Sequence, residues 1–286
     1  MPGPIISIVI SSFNYGRYLR ECIDSALNQT HPRVQVVVID DGSTDESSAI
    51  IASYGDLIES VLQPNRGQGA VWNVSAPRVS GSWVIFLDSD DRLSFRAAER
   101  VAAASIAHPG SSKMHWPMRL IGADGGSLGI EIPGQSLPSG DRLAELKAFG
   151  FDRGPNMATS GNAWLAEFTR RVLPMPEAEF KISADTWLLG LSPLFGQTIA
   201  LGEVLSEYRS HSVNNGSRGT DCGRANAILA RSVLVFSKVA DELTARGFQA
   251  DPAHWAEVNP TLLEQREILA RCDDDSCHHG PPILTA

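Results

Sequence analysis

Short apolar runs alternate with helix-spaced apolar positions through the first third of the chain. The stretches "IISIVISSF" (5–13), "VQVVVID" (34–40), "IESVLQ" (58–63) and "WVIFLD" (83–88) are continuous and rich in β-branched residues. That is the pattern of strands buried on both faces. Between them, "YLRECIDSALNQ" places Leu19, Cys22, Ile23, Ala26 and Leu27 on one helical face. Thr44 and Asp45 can cap a helix through "ESSAIIASYG" that stops at Gly55. "GQGAVWNVSAPRVSG" reads as a helix in spite of Pro77, and "FRAAERVAAASIAHP" as another. This alternation predicts an α/β fold, a mostly parallel central sheet with helices on both faces. Ligands of such sheets bind at the carboxyl ends of the strands.

The rhythm then changes. "MHWPMRLIGADGGSLGIEI" predicts a hairpin around Asp124-Gly125-Gly126, followed by a Gly/Pro/Ser-rich stretch to about Gly140. Short helices are predicted at Asp141–Ala148, Trp164–Val172 and Ala184–Leu191, and "TIALGEVLSEYR" as strand or extended chain. From about Arg224 two amphipathic helices form a C-terminal extension. In "AILARSVLVFSKVADEL", Ile228, Leu229, Ser232, Val235, Phe236 and Val239 share one stripe. Core packing is expected of it, with a homodimer surface or membrane-surface attachment as the alternatives; the missing basic face weighs against the last.

Composition narrows the class. The chain has 286 residues, 43% hydrophobic and 20% charged, with a formal charge of −9. No basic stripe stands out, which argues against a nucleic-acid partner. An anionic substrate would then need a local device, such as a metal ion or helix N-termini. No segment approaches the ~20 apolar residues of a membrane span, and the start lacks the basic region of a signal peptide. Cys22, Cys222, Cys272 and Cys277 read as reduced cytoplasmic thiols rather than a disulfide framework. Cys277, His278 and His279 sit in a tail from 273 to 286 that reads as a solvated end rather than a metal site.

Two strands end in acid. "VVVIDDGSTDESS" carries Asp40 and Asp41, and "VIFLDSDDRLS" carries Asp88, Asp90 and Asp91. As neighbouring parallel strands they would deliver five aspartates to one sheet edge. Like charges at that density raise one another's pKa values. A hard divalent cation, Mn²⁺ or Mg²⁺, is the usual compensation, with water or phosphate completing its shell. For any single aspartate, capping a turn is the plain alternative.

"ISIVISSFNYGRYLRECIDSALNQTHPRVQVVVIDDGSTD" followed by "VIFLDSDD" resembles the nucleotide-sugar-binding half of family 2 glycosyltransferases, inverting enzymes of the GT-A fold. The resemblance continues through "TSGNAWL" (159–165), "ISADTWLL" (182–189) and "LSEYRSHSVNN" (205–215), covering roughly residues 5 to 217. It implies a nucleotide-sugar-binding half at 1–110 and an acceptor-binding, catalytic half at 111–217, followed by C-terminal helices at 218–272.

The resemblance also implies roles. Ser11 and Phe13 border the nucleobase, and Asp41 accepts a hydrogen bond from it, which suits the imide of uracil or thymine. Asp90 contacts ribose or sugar, Asp88 holds the sugar, and Asp91 coordinates the metal. His211 completes the metal or diphosphate site. Ser160, Gly161 and Asn162 receive the acceptor, and Asp185 is the general base. Gln68 and Arg66 share the phosphates, because Trp72 stands where many members carry an arginine; Ala184 replaces a frequent acidic residue.

The implied activity is metal-dependent transfer of a single sugar from a UDP- or dTDP-sugar to a hydroxyl of a sugar, lipid-linked or other acceptor. Bacterial cell-surface polysaccharide or glycoconjugate synthesis is its implied setting, in the cytoplasm or at the inner membrane face. Two alternatives stay open. One is a nucleotide-sugar-binding protein with impaired catalysis; the other is a sugar nucleotidyltransferase, for which "SSFNYGRYL" lacks a phosphate cradle.

Overall fold

From the N-terminus, strands β1 (Ile6–Ser12), β2 (Val34–Asp40), β3 (Glu59–Leu62) and β4 (Trp83–Asp88) alternate with helices α1 (Gly16–Leu27), α2 (Ser47–Ala52) and α3 (Gln68–Ser75). The structure, a computed structural model, describes residues 3–151, 154–211 and 221–273. After β4 come β5 (Arg92–Leu93), α4 (Ala97–Ala107), β6 (Ser111–His115) and the hairpin of β7 (Met118–Ile121) and β8 (Ser127–Ile132). The second half continues with α5 (Leu143–Phe149), β9 (Asn162–Leu165), α6 (Ala166–Val172), α7 (Asp185–Leu191), β10 (Gln197–Ala200) and β11 (Ser206–Arg209). Helices α8 (Asp221–Ala245), α9 (Pro252–Val258) and α10 (Pro260–Asp273) complete it.

The central sheet has seven strands in the order β10-β6-β9-β4-β1-β2-β3. β1 pairs in parallel with both β2 and β4, and β2 with β3; the reversed strand β9 runs antiparallel to β4 and β6. Because β1 lies between them, β2 and β4 are not neighbours, contrary to the sequence expectation. The register sets Ser12 opposite Asp40 and Ser11 opposite Asp88. The carboxyl ends of three strands therefore finish level, at the point where strand order reverses, which is where open α/β sheets bind ligands.

Alternate faces of the strands feed two cores. Ile6, Ile8, Ile10, Val36, Val38, Ile85 and Leu87 meet α1, α2 and α4 through Leu19, Ile23, Ile51, Ala98 and Val101. Val9, Val37, Ile39, Val84 and Phe86 meet the other layer through Trp72, Phe168, Leu188 and Val235. Trp72 stacks on Phe86 with ring centroids 3.9 Å apart. A second sheet, in the order β5-β11-β7-β8, takes its first strand from the chain just past the end of β4.

Several expectations are corrected. The helix from the GQG stretch ends at Ser75, short of Pro77, which cannot donate a helical hydrogen bond. Trp164 belongs to β9, where pairing with Val84 and Lys113 outweighs helical spacing. The C-terminal extension has three helices, because Asn259-Pro260 separates α9 from α10. Cys222 and Cys272 form a disulfide, so two of the thiols read as reduced are paired. Sequence spacing cannot show that α10 returns beside the start of α8. The tail cluster Cys277, His278 and His279 lies outside the described residues.

The α8 stripe packs inward: Val235, Phe236 and Val239 are buried, and Ser232 nearly so. Gly190 of α7 meets Val235 so closely that an added Cβ would lie 2.2 Å from Val235 Cγ1. Gly190→Ala is therefore expected to destabilise the protein by about 1–3 kcal/mol, the cost of overpacking. A urea midpoint equal to wild type would contradict the close packing of α7 on α8. The disulfide closes a 50-residue loop. By chain entropy it is worth about 4 kcal/mol. Cys272→Ser should lower the midpoint accordingly, and peptide mapping without reductant should recover the linked Cys222 and Cys272 peptides. Recovery of two free thiols there would refute the pairing.

Candidate active site

At the level edge of β1, β2 and β4 the chain opens a cavity of about 420 Å³. Ser11 and Ser12 form part of its floor, with Phe13 and Tyr15 at the β1–α1 loop. The hydroxyls of Ser11 and Ser12 are buried and have no hydrogen-bond partner among the described residues. The adjoining loop is laced to the one after β2. Asn14, at φ +56°, accepts from Thr44 N through its side chain (2.8 Å), and Gly16 N donates to Asp45 Oδ2 (2.9 Å).

The two aspartates ending β2 do different things. Asp40 turns onto its own loop, accepting from Ser43 N (3.0 Å) and the Ser43 hydroxyl (2.5 Å). For Asp40 the turn-capping alternative is the structural outcome. Asp41 faces the cavity and organises the segment after β3. Its Oδ1 accepts from Gln63 Nε2 (2.7 Å) and Arg66 N (3.0 Å), its Oδ2 from Gly67 N (2.7 Å). A carboxylate has about four acceptor positions, so three bonds leave one for a ligand.

The GQG stretch then explains itself. Gly67 adopts φ +94°, and a Cβ there would lie 2.5 Å from Lys181 Cα. That approach lets Gln68 N donate to Lys181 O (2.9 Å) and Gly69 N to Phe180 O (2.8 Å). The side chain of Gln68 spans the cavity wall, donating to Asp88 Oδ1 (2.9 Å) and accepting from Ala184 N (2.9 Å). Gln68 thus ties the end of β4 to the segment that presents Asp185. Ser183 sits in that segment at φ +58°, an unfavourable conformation for a residue other than glycine, held by its neighbours.

Asp88 and Asp90 line the cavity; Asp91 does not. Asp91 Oδ1 accepts from Arg209 N (2.9 Å) and so joins β4 to β11, while Asp91 Oδ2 is buried with no partner among the described residues. Asp90 Oδ2 lies 3.0 Å from His211 Nε2, and the imidazole stands beside the rings of Tyr15 and Tyr18. Behind them Arg209, 1% exposed, donates to Asp90 O (2.8 Å) and Glu21 Oε2 (2.8 Å).

Burial dominates the electrostatics. It pushes Asp88 up to about 8, helped by the charges of Asp90 and Asp185 and opposed by Thr159 and Gln68. Asp90 is raised by burial against the pull of His211, and Asp91 by burial and then by Asp90 and Asp88. Asp185, the first residue of α7, is raised by burial to about 6, offset by its bond from Thr186 N (3.0 Å) and by Arg231. The cluster carries more negative charge than its surroundings neutralise. A carboxylate beside an imidazole, an orphaned buried carboxylate oxygen and this surplus form a donor set that fits a hard divalent cation. Among the described residues no three His, Cys, Asp or Glu side chains converge on one point, so most of the shell would come from water or phosphate.

Of the residues singled out from sequence, Ser11, Phe13, Asp41, Gln68, Asp88, Asp90 and Asp185 line one cavity. His211 joins them through Asp90. Ser160, Gly161 and Asn162 are buried beneath it instead. The Ser160 hydroxyl accepts from Asp88 N (3.1 Å), and Asn162 Nδ2 donates to Met157 O (3.1 Å) and Ala158 O (2.8 Å). They hold Ala158 and Thr159 at the cavity wall. Trp72 and Ala184 are core residues, and Arg66 turns outward to Glu177 (3.4 Å). Sequence reasoning missed Tyr208 and Lys181, which line the cavity, and Arg209, although Arg209 stands two residues before His211 in the same quoted stretch.

The family model described as Glycosyl transferase family 2 matches residues 7–116. An uncharacterized glycosyltransferase of Nostoc sp. is 33% identical over 218 residues, 73% of this chain and 66% of that protein. The chain spans only 28% of the length of each of the next two curated relatives. Among solved structures, Staphylococcus aureus TarS in complex with UDP-GlcNAc superposes with a TM-score of 0.68 at 18% identity, covering 97% of this chain and 76% of that one. A mannosyltransferase of Pyrobaculum calidifontis in complex with GDP-Man and Mn²⁺ gives 0.56 at 18% identity, covering 98% and 77%. The fold is that of these GT-A proteins.

Asp41 is expected to matter for stability as well as for any ligand. Asp41→Ala removes the acceptor of three bonds, two of them from backbone N–H groups of the 63–67 segment. Bonds to a charged acceptor are worth about 1.5–3 kcal/mol each and do not add fully. The variant should lose about 2–4 kcal/mol in urea unfolding and be cut faster by protease near Arg66. An unchanged midpoint and cleavage pattern would show that this segment holds itself.

Proposed function

Because the chain belongs to glycosyl transferase family 2, we propose that it transfers one sugar, with inversion, from a nucleoside-diphosphate sugar to an acceptor hydroxyl. The carrying observation is that a single cavity gathers Asp41, Asp88, Asp90 and Asp185 from three separate stretches of chain. Uridine or thymidine donors suit the remaining acceptor position of Asp41, which can take the imide N–H of the base. Ser11 and Ser12 bring unpartnered hydroxyls to the same end, and Phe13 offers an aromatic face. The donor sugar lies toward Asp88, which Gln68 and Thr159 orient.

Asp91, through its unpartnered Oδ2, and His211 beside Asp90 would hold a divalent cation, Mn²⁺ or Mg²⁺, at the diphosphate end; the other oxygen of Asp91 braces that corner through Arg209. Such an ion, when bound, offsets the charge of the departing diphosphate. Asp185 takes the proton of the acceptor hydroxyl as its oxygen attacks C1 from the face opposite the phosphate. The C1–phosphate oxygen bond breaks, and its electron pair leaves with the nucleoside diphosphate. No covalent enzyme intermediate is required. The grounds for an impaired binding protein were Ala184 and Trp72. Both occupy packed positions, and turnover of a nucleotide sugar separates the two readings.

Asp185 must be ionised to accept a proton. With its pKa pushed up to about 6, the protonated form prevails below that value, so kcat should fall as pH drops through 6 and level off above it. Asp185→Asn keeps the shape but not the basicity. Release of UDP or dTDP from their sugars with Mn²⁺ and acceptor should fall about 10²–10⁴-fold in kcat and kcat/KM together. Nucleotide affinity by calorimetry should stay within about twofold, and the acid limb should vanish. Normal turnover by Asp185→Asn would dismiss Asp185 as the base.

A further inference from the structure

Helix α8 lies outside the segment matched by the family model, yet it reaches the proposed base. Gly190 of α7 faces Val235 of α8. Arg231 stands four residues before Val235, and Asp185 five before Gly190. At 1.5 Å per residue these spans are roughly 6 and 7.5 Å. Just beyond both helices Arg246 donates to Leu194 O, so the two run in the same direction here, and Arg231 is presented where α7 begins, beside Asp185.

Arg231 is 7% exposed, and its guanidinium forms no hydrogen bond or ion pair among the described residues. It meets Asp185 only through space, each favouring the charge of the other. The contrast with Arg209 is direct. That buried guanidinium is bonded to Asp90 O, Glu21, Gly122 O and Ala123 O. A largely buried cation with its donors unused is costly unless something completes it. Lys113, 1% exposed, adds positive charge on the same side: its Nζ donates to Asn156 Oδ1 (2.8 Å), and it too favours the ionised form of Asp185. In a chain with 33 acidic and 24 basic residues, two buried cations beside the base mark a local preference for an anion.

We propose that Arg231 recognises an anionic oxyacid group, phosphate or carboxylate, on the acceptor whose hydroxyl is offered to Asp185. The planar guanidinium pairs with two oxygens of either group, which fixes the acceptor's orientation as well as its charge. Lys113 contributes charge at longer range. The inference rests on the reading of Asp185 as base, and names the class of acceptor for that same site.

The test compares three small probes of similar size: glycerol 3-phosphate, glycerate and glycerol. Each is titrated into wild type, Arg231→Gln and Arg231→Lys during turnover of a UDP- or dTDP-sugar with Mn²⁺, and its half-effect concentration on nucleotide release is read. Taking the ratio of charged to neutral probe within each protein cancels any change in the basicity of Asp185. Wild type should respond to one or both charged probes at a concentration about tenfold or more below that for glycerol. Arg231→Gln should bring the ratio close to one, and Arg231→Lys should keep part of it.

Lys238→Gln, which removes a half-buried α8 cation paired with Glu242, should behave as wild type. The stronger of the two charged probes identifies phosphate or carboxylate. A wild-type ratio near one, or a preference that survives in Arg231→Gln, overturns the proposal; the latter would place the anion at the diphosphate end. Absence of nucleotide release from every donor would count against the transferase reading instead. The same probes are then read by melting temperature with UDP and Mn²⁺ present, since a ligand of the folded state raises it. Equal shifts in wild type and Arg231→Gln reject the anion subsite by that measure.

Discussion

The register that seats β1 between β2 and β4 is the constraint on which the site depends. With Ser12 level with Asp40 and Ser11 level with Asp88, three strand ends finish on one line. Each of the following loops must then turn over the same small volume. A one-residue slip of β4 would turn the Asp88 side chain to the opposite face and exchange its two cores, since strand side chains alternate with period two. The continuous apolar faces of β1, β2 and β4, packed above and below, exclude that slip. Rigid strands thus carry the charged groups to the edge, and loops only adjust them.

What those loops do is satisfy and separate the carboxylates. Asp40 is consumed by its own turn, Asp41 gives three of its acceptor positions to the segment after β3 and keeps one at the cavity, and Asp91 is taken in part by β11. Asp88, Asp90 and Asp185 remain at the cavity, each raised by burial. Such an arrangement costs folding free energy, and clusters of this kind are suited to meeting a cation or serving as a base. Gln68 connects the two purposes, with one end on Asp88 and the other on the backbone before Asp185. Its position depends on Gly67 and Gly69, which allow the two segments to approach.

The second half of the chain supplies the far wall. Residues 160–162 lie under the cavity and hold Ala158 and Thr159 against it. α7 begins with Asp185 and is clamped along its length by α8, which the Cys222–Cys272 disulfide joins to α10. The C-terminal helices are accordingly packed into the same body as Asp185, and Arg231 is the point at which they approach it. No helix among the described residues is long and apolar enough to cross a membrane.

The amino-acid sequence by itself determined the strand–helix alternation, because β-branched runs and helical spacing are local signals. It also marked the acidic strand ends and the ordered series of stretches that place the chain among family 2 glycosyltransferases. Seven of the singled-out residues meet in one cavity for that reason: each ends a strand or opens a helix whose place the pattern dictates. Tertiary structure decided the rest. Asp40 caps its own turn through Ser43, whereas Asp88 faces the cavity against Gln68, twenty residues away, and the sequence offers both aspartates the same two roles. The neighbours of β1, the strand identity of Trp164 and the pairing of Cys222 with Cys272 are long-range choices that no local spacing encodes. The same holds for Arg231, which in sequence is one polar residue on an amphipathic helix. Only the packing of α8 along α7 sets its charge beside Asp185.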